Sequence, residues 1–293
     1  MKRAEALALL GTGLLASGCA RANSNAVAIG SKDFTEELIL GEMYAQLFEK
    51  HGLPVARKFN LGGTQVAMEA LLRGDIDMYP EYTGTALITI LKLKPSGDAR
   101  AIYTTVKNEY ARRYGLVWLQ PAPMNDTQAL AMTQAASAKF GVRTLSQLAV
   151  AAPQLRLGAI PEFTTRADAL PGLQRAYGGF RFKEIKLFDI GLKYKALESG
   201  NVDVVVAFGT DGQIAADHLV VLQDDKRFWP AYQVAPVVRR ATLERHPEIA
   251  VYLDRLAPFL TDDAMRGLNE QVDGAKQEPA DVASAFLKAH GLV

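Results

Sequence analysis

Short runs of β-branched and other apolar residues alternate with longer amphipathic stretches along most of the chain. The first run, VAIG at 27–30, is typical of a strand, and the apolar residues after it recur at helical spacing up to His51-Gly52. Asp33 and Glu36 have the spacing of a capping box, so we expect Asp33 to cap this helix. Further strands are predicted at 55–61, 76–79, 155–160, 183–188, 202–208 and 232–239, and further helices at 65–73, 164–177 and 190–199. This alternation favours an α/β fold with largely parallel strands.

Two segments of the chain carry the same pattern. ALLRGDIDMYPEYTG at 70–84 and ALESGNVDVVVAFGTDG at 196–212 each contain a helix end, a glycine, and a strand that leads to a turn of Gly and Thr. Gly74 and Gly200 suit the left-handed position after a helix, where a side chain is strained. We interpret the pair as one helix–strand unit used twice, although such junctions are common in any α/β protein. Asp75 and Asp77 flank the start of the strand at 76–79, and we expect both to have structural rather than catalytic roles.

The pattern changes after Pro230. Residues 242–290 are helical almost throughout, with breaks at three prolines, and contain no strand series of their own. We therefore expect this tail to pack back on the first part of the chain, which makes the first of two α/β lobes discontinuous. The predicted organisation is a first lobe of residues 27–125 and 231–293, a second lobe of residues 126–230, and two hinge crossovers near 121–126 and 229–234.

The N-terminal segment differs from the rest of the chain. A basic start precedes an apolar run at 6–16 that is too short to span a bilayer, which is typical of an export signal. Small residues then stand directly before Cys19, as they do in bacterial lipoproteins. We expect a signal peptide at 1–18, a short polar tether at 19–26 and a lipid anchor to the membrane on Cys19. The alternative is an ordinary cleaved signal with an incidental cysteine; both place the protein in the periplasm or at the cell surface.

Composition and motifs exclude several classes of function. The 293 residues include 33 Lys and Arg against 32 Asp and Glu, so a basic surface for nucleic acid has no support. One cysteine excludes an intrachain disulfide framework and a CxxC metal or redox site. The sequence contains no GxxxxGKS/T, HExxH or GxSxG signature, and its four histidines are far apart. We therefore predict no catalytic residues, no metal site and no cofactor.

Aromatic and polar residues are concentrated where the predicted strands end. Lys32 follows the first strand, Tyr82 the third and Phe208 the last of the second lobe, while Asp126 and Tyr232 lie at the crossovers. Since ligands of such sheets bind outside the carboxyl ends of the strands, we expect these residues to face one cleft. Ring faces attract cations, whereas Lys, Arg and helix N-terminal amides bind carboxylates. The set suits a small ligand with one alkylated ammonium end and one anionic end.

Four segments carry a resemblance to a known protein family, which extends over nearly all of residues 27–293. They are IGSKDFTEELILGEMYAQLFE, NLGGTQVAMEALLRGDIDMYPEYTGTAL, DIGLKYKALESGNVDVVVAFGTDGQI and APVVRRATLERHPEI. These segments closely resemble the substrate-binding proteins of osmoprotectant ABC importers for glycine betaine, choline or carnitine. The resemblance implies a bilobal periplasmic-binding-protein fold of type II that closes by a hinge on its ligand. It further implies a quaternary ammonium ligand, a monomer, and a partner permease with a cytoplasmic ATPase.

The resemblance also implies roles for individual residues, carried over by position. The aromatic cage of the family falls at Tyr82, Phe208 and Tyr232, and its carboxylate-binding groups fall at Lys32, Thr85 and Arg166. Each of these has a plain structural alternative, because a tyrosine at a strand end often only packs and a Lys or Arg often forms a surface ion pair.

Three further positions bear on which ligand binds. Asp126 matches a position whose backbone faces the ammonium methyl groups, and Gln65 matches one that varies with ligand preference in the family. Gln128 stands where the family often has tyrosine, so one ring of the cage is replaced by an amide. This replacement keeps choline, carnitine and a betainised amino acid such as ergothioneine open beside glycine betaine. A ligand sensor, and an enzyme on the same fold, are the alternatives to transport.

Overall fold

The strands of the molecule form two separate five-stranded sheets. The computed structural model describes residues 25–95 and 98–293. In chain order the strands are β1 (Val27–Gly30), β2 (Val55–Lys58), β3 (Met78–Tyr82), β4 (Leu116–Trp118), β5 (Gln128–Met132), β6 (Arg156–Ala159), β7 (Glu184–Leu187), β8 (Val204–Phe208), β9 (Val220–Val221) and β10 (Val234–Arg239). The first sheet has the order β2-β1-β3-β10-β4, and the second has the order β7-β6-β8-β5-β9.

Helices cover both sheets. In chain order they are α1 (Thr35–Lys50), α2 (Thr64–Arg73), α3 (Thr83–Thr85, which continues as a π-helical turn, Ala86–Ile90), α4 (Ala99–Tyr114), α5 (Gln134–Phe140), α6 (Leu145–Ala151), α7 (Leu170–Tyr177), α8 (Lys193–Glu198), α9 (Gln213–Ala216), α10 (Arg240–Arg245), α11 (Glu248–Leu256), α12 (Asp262–Asp273) and α13 (Pro279–Ala289). The predicted helical tail therefore forms four helices, and the last two pack on α1. Alternate residues of β10 face opposite sides of the first sheet: Val234 and Val238 join the core under α1, and Ala235 and Val237 join the core under α2 and α4.

The two sheets share one topology, and the chain passes between them twice. The strand second from one edge, β1 in the first sheet and β6 in the second, pairs in parallel with both of its neighbours. The chain passes from β4 to the second sheet at β5, and returns from β9 to the first sheet at β10. The predicted bilobal α/β fold with two crossovers is therefore confirmed, while the residue limits of the lobes remain a prediction. The expectation of largely parallel strands is confirmed, since four of the five strands in each sheet run in the same direction. The fifth strand, β10 in the first sheet and β5 in the second, lies between two antiparallel neighbours and enters its sheet directly from the other one.

Two predicted helix starts differ from the observed ones. The expected capping box of Asp33 does not form: Phe34 is the N-cap of α1, and no side chain caps the helix. The partner expected for Asp33, Glu36, is buried and bonds to side chains of other elements instead. The helix expected at 164–177 begins only at Leu170, after a short 3-10 turn, Pro161–Thr164, that carries side chains into the space between the sheets.

The repeated helix–strand unit is present in both sheets. Gly74 and Gly200 follow α2 and α8 with φ angles of 81° and 68°. After each glycine an aspartate bonds the backbone of the neighbouring strand, β1 or β6: Asp77 Oδ2 accepts the Ala28 N–H at 2.9 Å, and Asp203 Oδ2 accepts the Arg156 N–H at 2.9 Å. The structural role expected for Asp77 is confirmed by this arrangement.

The predicted signal peptide and Cys19 lie outside the described residues, as does all but the end of the predicted tether. Within the described part of the chain, the search for a helix with the length and apolar character of a membrane span found none.

Replacing Asp77 by alanine should lower the free energy of unfolding by about 1 to 3 kcal/mol, because the Ala28 N–H and the Thr242 hydroxyl lose a buried acceptor. Urea unfolding followed by circular dichroism measures the change. Asp75→Ala is the matched control, since that aspartate is exposed and pairs only with Arg73 among the described residues. Equal effects of the two replacements would contradict the structural role of Asp77.

Candidate ligand-binding site

A cavity of about 630 Å³ lies between the two sheets. It is reached by the carboxyl ends of β1, β3 and β8 and by both crossovers, as the sequence predicted for a ligand cleft. Of the nine predicted site residues, eight line it: Lys32, Tyr82, Thr85, Asp126, Gln128, Arg166, Phe208 and Tyr232. The ninth, Gln65, is exposed on α2 and is not among the lining residues described, although Gly63 and Thr64 beside it are.

Lys32 does not stand alone on the wall. Its Nζ lies 2.6 Å from Glu81 Oε1, 3.7 Å from Glu37 Oε1 and 4.7 Å from the centre of the Tyr82 ring. Burial lowers the pKa of Lys32, but the two carboxylates outweigh it and raise that pKa overall. Glu81 is not among the residues that line the cavity, but its side chain accepts a hydrogen bond from Lys32 Nζ.

Glu36 and Asp126 share one hydroxyl donor. The Thr210 Oγ1 lies 2.5 Å from Glu36 Oε2 and 2.7 Å from Asp126 Oδ1, yet a hydroxyl has only one proton to donate. Burial raises the pKa of both carboxyl groups, and their mutual repulsion adds to the rise at Asp126. One of the pair therefore retains a proton more readily than an exposed acid would.

The same cluster ties opposite walls together. The Tyr82 hydroxyl donates to Glu36 Oε1 at 2.6 Å, which fixes the ring of a predicted cage residue. Asn269, from α12, donates to Glu36 Oε2 at 3.0 Å and to the Thr210 carbonyl at 2.9 Å. Glu36 belongs to the helix after β1 and Thr210 follows β8, so these bonds join the two sheets beside the cavity.

Asp168 organises the opposite end of the cavity. It holds the Arg166 guanidinium through two bonds, of 2.9 Å and 2.6 Å, and accepts the Tyr232 hydroxyl at 2.7 Å and the Gln128 amide at 2.9 Å. Arg166 also donates to Thr85 Oγ1 at 3.2 Å, across the cavity from its own sheet. Three predicted site residues therefore share one anchoring carboxylate.

Gly84 makes room for the Tyr232 ring. A Cβ at this position would lie 2.7 Å from two ring carbons of Tyr232 and 2.8 Å from the carbonyl oxygen of Ala231. The absence of a side chain in the Tyr82-Thr83-Gly84 turn thus lets a ring from the return crossover reach the cavity wall.

Phe208 faces a second paired cation. The Lys193 Nζ lies 5.2 Å from the centre of the Phe208 ring, 4.4 Å from the centre of the Tyr194 ring and 3.3 Å from Asp211 Oδ2. Asp211 also accepts the Tyr194 hydroxyl and the backbone N–H of Phe208. Tyr194 is buried and lines the cavity.

The cavity wall is rich in both rings and carboxylates. Six aromatic side chains line it, including Phe34 and Phe188, which the sequence did not indicate. Seven acidic residues line it against three basic ones, Lys32, Arg166 and Lys193. Negative charge beside exposed ring faces favours a cationic group in the cavity. Across residues 25–95 and 98–293, the search for three or more potential metal ligands in one group found none.

Sequence reasoning missed the residues that hold others in place. Asp168 lies two residues after Arg166. An acid so close to a predicted anion-binding arginine was the signal in the sequence that could have identified it as the partner of that arginine. Glu36 was assigned to a helix cap, and its true partners are 46 and 174 residues away. Asn269 lies 233 residues from Glu36, and no local pattern indicates that contact.

Comparison with known proteins identifies relatives over nearly the whole chain. Residues 25–289 match the family model described as the substrate binding domain of the ABC-type glycine betaine transport system. A glycine-betaine-binding protein of Pseudomonas aeruginosa is 39% identical over 299 aligned positions, which cover 99% of this chain and 95% of that protein.

Two further relatives widen the range of ligands named. EgtU of Helicobacter pylori, an ergothioneine transport permease and binding protein, is 38% identical over 267 positions. These positions cover 91% of this chain but only 48% of EgtU, so the chain spans about half the length of that relative. A crystal structure described as a glycine betaine/carnitine/choline ABC transporter superposes with a TM-score of 0.74 at 32% identity, covering 91% of this chain and 99% of that one.

The Glu37 carboxyl group should make stability depend on pH. Burial raises its pKa to about 8, against a partly compensating effect of Lys32. Between about pH 5 and pH 8 the folded chain therefore holds a proton there that the unfolded chain has released, so this contribution to stability falls as pH rises, by up to about 1.4 kcal/mol per unit. Glu37→Gln mimics the protonated group. We therefore expect the free energy of unfolding of this variant, relative to that of the wild-type chain, to increase from pH 5 to pH 8.

Urea unfolding at several pH values measures that difference. Glu244→Gln, at an exposed position of α10, controls for the general effect of replacing an acid by an amide. A difference between wild type and Glu37→Gln that stays constant from pH 5 to pH 8 would show that the carboxyl group does not titrate as described.

Proposed function

The chain belongs to the family of substrate-binding domains of ABC-type glycine betaine transport systems, and from this premise we propose that it captures a small trimethylammonium compound between its lobes for import. The family match and the P. aeruginosa relative support the substrate class. Within this proposal the lobes comprise residues 27–125 with 231–293, and 126–230, and close about the two crossovers.

The observation that carries the proposal is the coincidence of rings and negative charge in one cavity. Tyr82, Phe208 and Tyr232 line it together with an excess of acidic side chains. A trimethylammonium group cannot donate a hydrogen bond, so ring faces are its natural partner, each worth about 0.5 to 2 kcal/mol. We assign these three rings to the cage, and we assign Asp126 to the wall beside the methyl groups.

The anionic end of a betaine would meet the cations that lie beside the cage rings, since Lys32 Nζ is 4.7 Å from the centre of the Tyr82 ring and Arg166 shares Asp168 with Tyr232. Arg166 and Thr85 are already joined by a hydrogen bond, and Lys32 lines the same space. The carboxylate would take up N–H groups of Arg166 that Asp168 leaves unused, since a guanidinium has five. Gln65 has no contact with the cavity in this geometry, so we leave it out of the proposed ligand contacts.

A betaine that carries a hydrogen-bonding ring, such as ergothioneine, is the second candidate. The Gln128 Nε2 lies 2.9 Å and 3.1 Å from the carboxylate and carbonyl oxygens of Asp168, which can only accept, so its NH2 group faces them. The Gln128 Oε1 makes no hydrogen bond with the described residues, which leaves an acceptor for an N–H or O–H of the ligand. EgtU, whose name includes ergothioneine binding, supports this alternative.

The remaining parts of the proposal concern the cellular context. We propose delivery to a membrane permease with its cytoplasmic ATPase, export through the signal peptide at 1–18, attachment by a lipid on Cys19, and action as a monomer without catalysis. The family supports the transport role, because its members serve ABC-type transport systems. A sensor would need the same ligand capture, so a permease and an ATPase encoded beside this chain would favour transport.

Calorimetry of the purified chain with glycine betaine, choline, carnitine, proline betaine and ergothioneine tests the function. We expect at least one to bind with a dissociation constant in the micromolar range or below, and binding of none would refute the proposal. The same titration ranks the two candidate ligand classes.

Two replacements at one position test the cage. Tyr232→Ala should weaken binding about tenfold or more, because it removes a ring face worth about 1.4 kcal/mol or more. Tyr232→Phe is the matched control: it keeps the ring and loses only the hydroxyl, which donates to Asp168 and accepts from Gln128 Nε2, so we expect a smaller loss. Unchanged affinity of Tyr232→Ala would remove this residue from the cage.

A further inference from the structure

Glu162 reaches across the cavity from the 3-10 turn after β6 to the start of α2. We propose that Glu162 is a specificity-determining residue whose carboxylate occupies the place of a ligand carboxylate, so that a betaine must displace it and a ligand without negative charge need not. This inference rests on the function proposed above.

Both oxygens of Glu162 face groups that bind anions. Oε1 accepts the backbone N–H of Thr64 at 3.1 Å, and Oε2 lies 3.6 Å from Nη1 of Arg166. Thr64 begins α2 on the first sheet, whereas Arg166 belongs to the second lobe, so one side chain bridges the two walls. Glu162 itself lines the cavity.

The backbone opposite Glu162 leaves space for a carboxylate. A Cβ at Gly63 would lie only 1.8 Å from Glu162 Oε1 and 2.8 Å from its carboxyl carbon. Any other residue at position 63 would therefore force the Glu162 carboxylate out of this place. Gly63 has a φ of −71°, which any residue adopts, so the close approach, and not the backbone conformation, explains the glycine.

Glu162 also acts on both cations that we assign to the ligand carboxylate. Arg166 lies beside its Oε2. The negative charge of Glu162 also raises the pKa of Lys32, as the charges of Glu81 and Glu37 do. A ligand carboxylate that approaches these cations meets the negative charge of Glu162 in a partly desolvated space, where charges interact more strongly than in water.

The consequence differs between ligands with the same trimethylammonium group. Arg166 already faces the carboxylates of Asp168 and Glu162, so a betaine brings a third carboxylate and must compete with Glu162. An uncharged ester or alcohol brings no such charge, and a hydroxyl such as that of choline can donate a hydrogen bond to Glu162. Glu162 is therefore expected to reduce the preference for betaines over uncharged ligands that Arg166 and Lys32 would give without it.

Calorimetry on Glu162→Gln tests this inference with two ligands, the tightest-binding betaine of the panel and its methyl ester. Glutamine keeps the length of the side chain and an oxygen for the Thr64 N–H, but it removes the charge. We expect the preference for the betaine over its ester to rise about tenfold, which corresponds to about 1.4 kcal/mol. Where no betaine binds the wild-type chain, Glu162→Gln must create that binding.

Glu184→Gln supplies the matched control, since it makes the same change in charge at an exposed position of β7 on the same lobe. Its preference should equal that of the wild-type chain. A preference that is unchanged in Glu162→Gln, or that shifts toward the ester, overturns the inference and leaves the proposed function standing. If the wild-type chain binds none of the trimethylammonium compounds, the proposed function is contradicted, and this inference is contradicted with it.

Discussion

Each cation on the cavity wall is already held by a carboxylate of the protein. Lys32 pairs with Glu81, Arg166 with Asp168, and Lys193 with Asp211. Burial of an unpaired charge is costly, so a wall that must remain stable without ligand needs these partners. The pairs leave the cavity with ring faces and surplus negative charge, and these make it suited to a cation. The anionic end of a zwitterion, in contrast, finds cations that are already partly neutralised.

The pairs also fix the geometry of the rings. Asp168 holds Arg166 and Tyr232 by the same carboxylate, and Glu36 holds the hydroxyl of Tyr82. Two of the proposed cage rings are thus oriented by hydrogen bonds at their rims. Little side-chain freedom remains to be lost when a ligand arrives, which favours tight binding of a small molecule that offers few contacts.

The sequence predicted the places of the site residues better than their partners. The rule that ligands lie outside the carboxyl ends of strands located Lys32, Tyr82 and Phe208, because each follows a recognisable strand. The partners come from separations that no local pattern covers, as Glu36 and Asn269 show. Glu36 is instructive, since its spacing from Asp33 fits a helix cap, but a buried acid finds stronger partners in Tyr82 and Thr210 than in a backbone N–H at the helix start. The antiparallel directions of the inserted strands β5 and β10 were not predicted for the same reason, since their neighbours are set by tertiary contacts.

The position of β10 has a consequence for synthesis. This strand lies between β3 and β4, so the first sheet cannot be completed until residue 239 has left the ribosome or the export channel. The second sheet needs only residues 128–221, which form one uninterrupted stretch. A chain that emerges from its N-terminus therefore completes its second sheet first. Strands β1 to β4 remain with a gap between β3 and β4 until β10 is inserted.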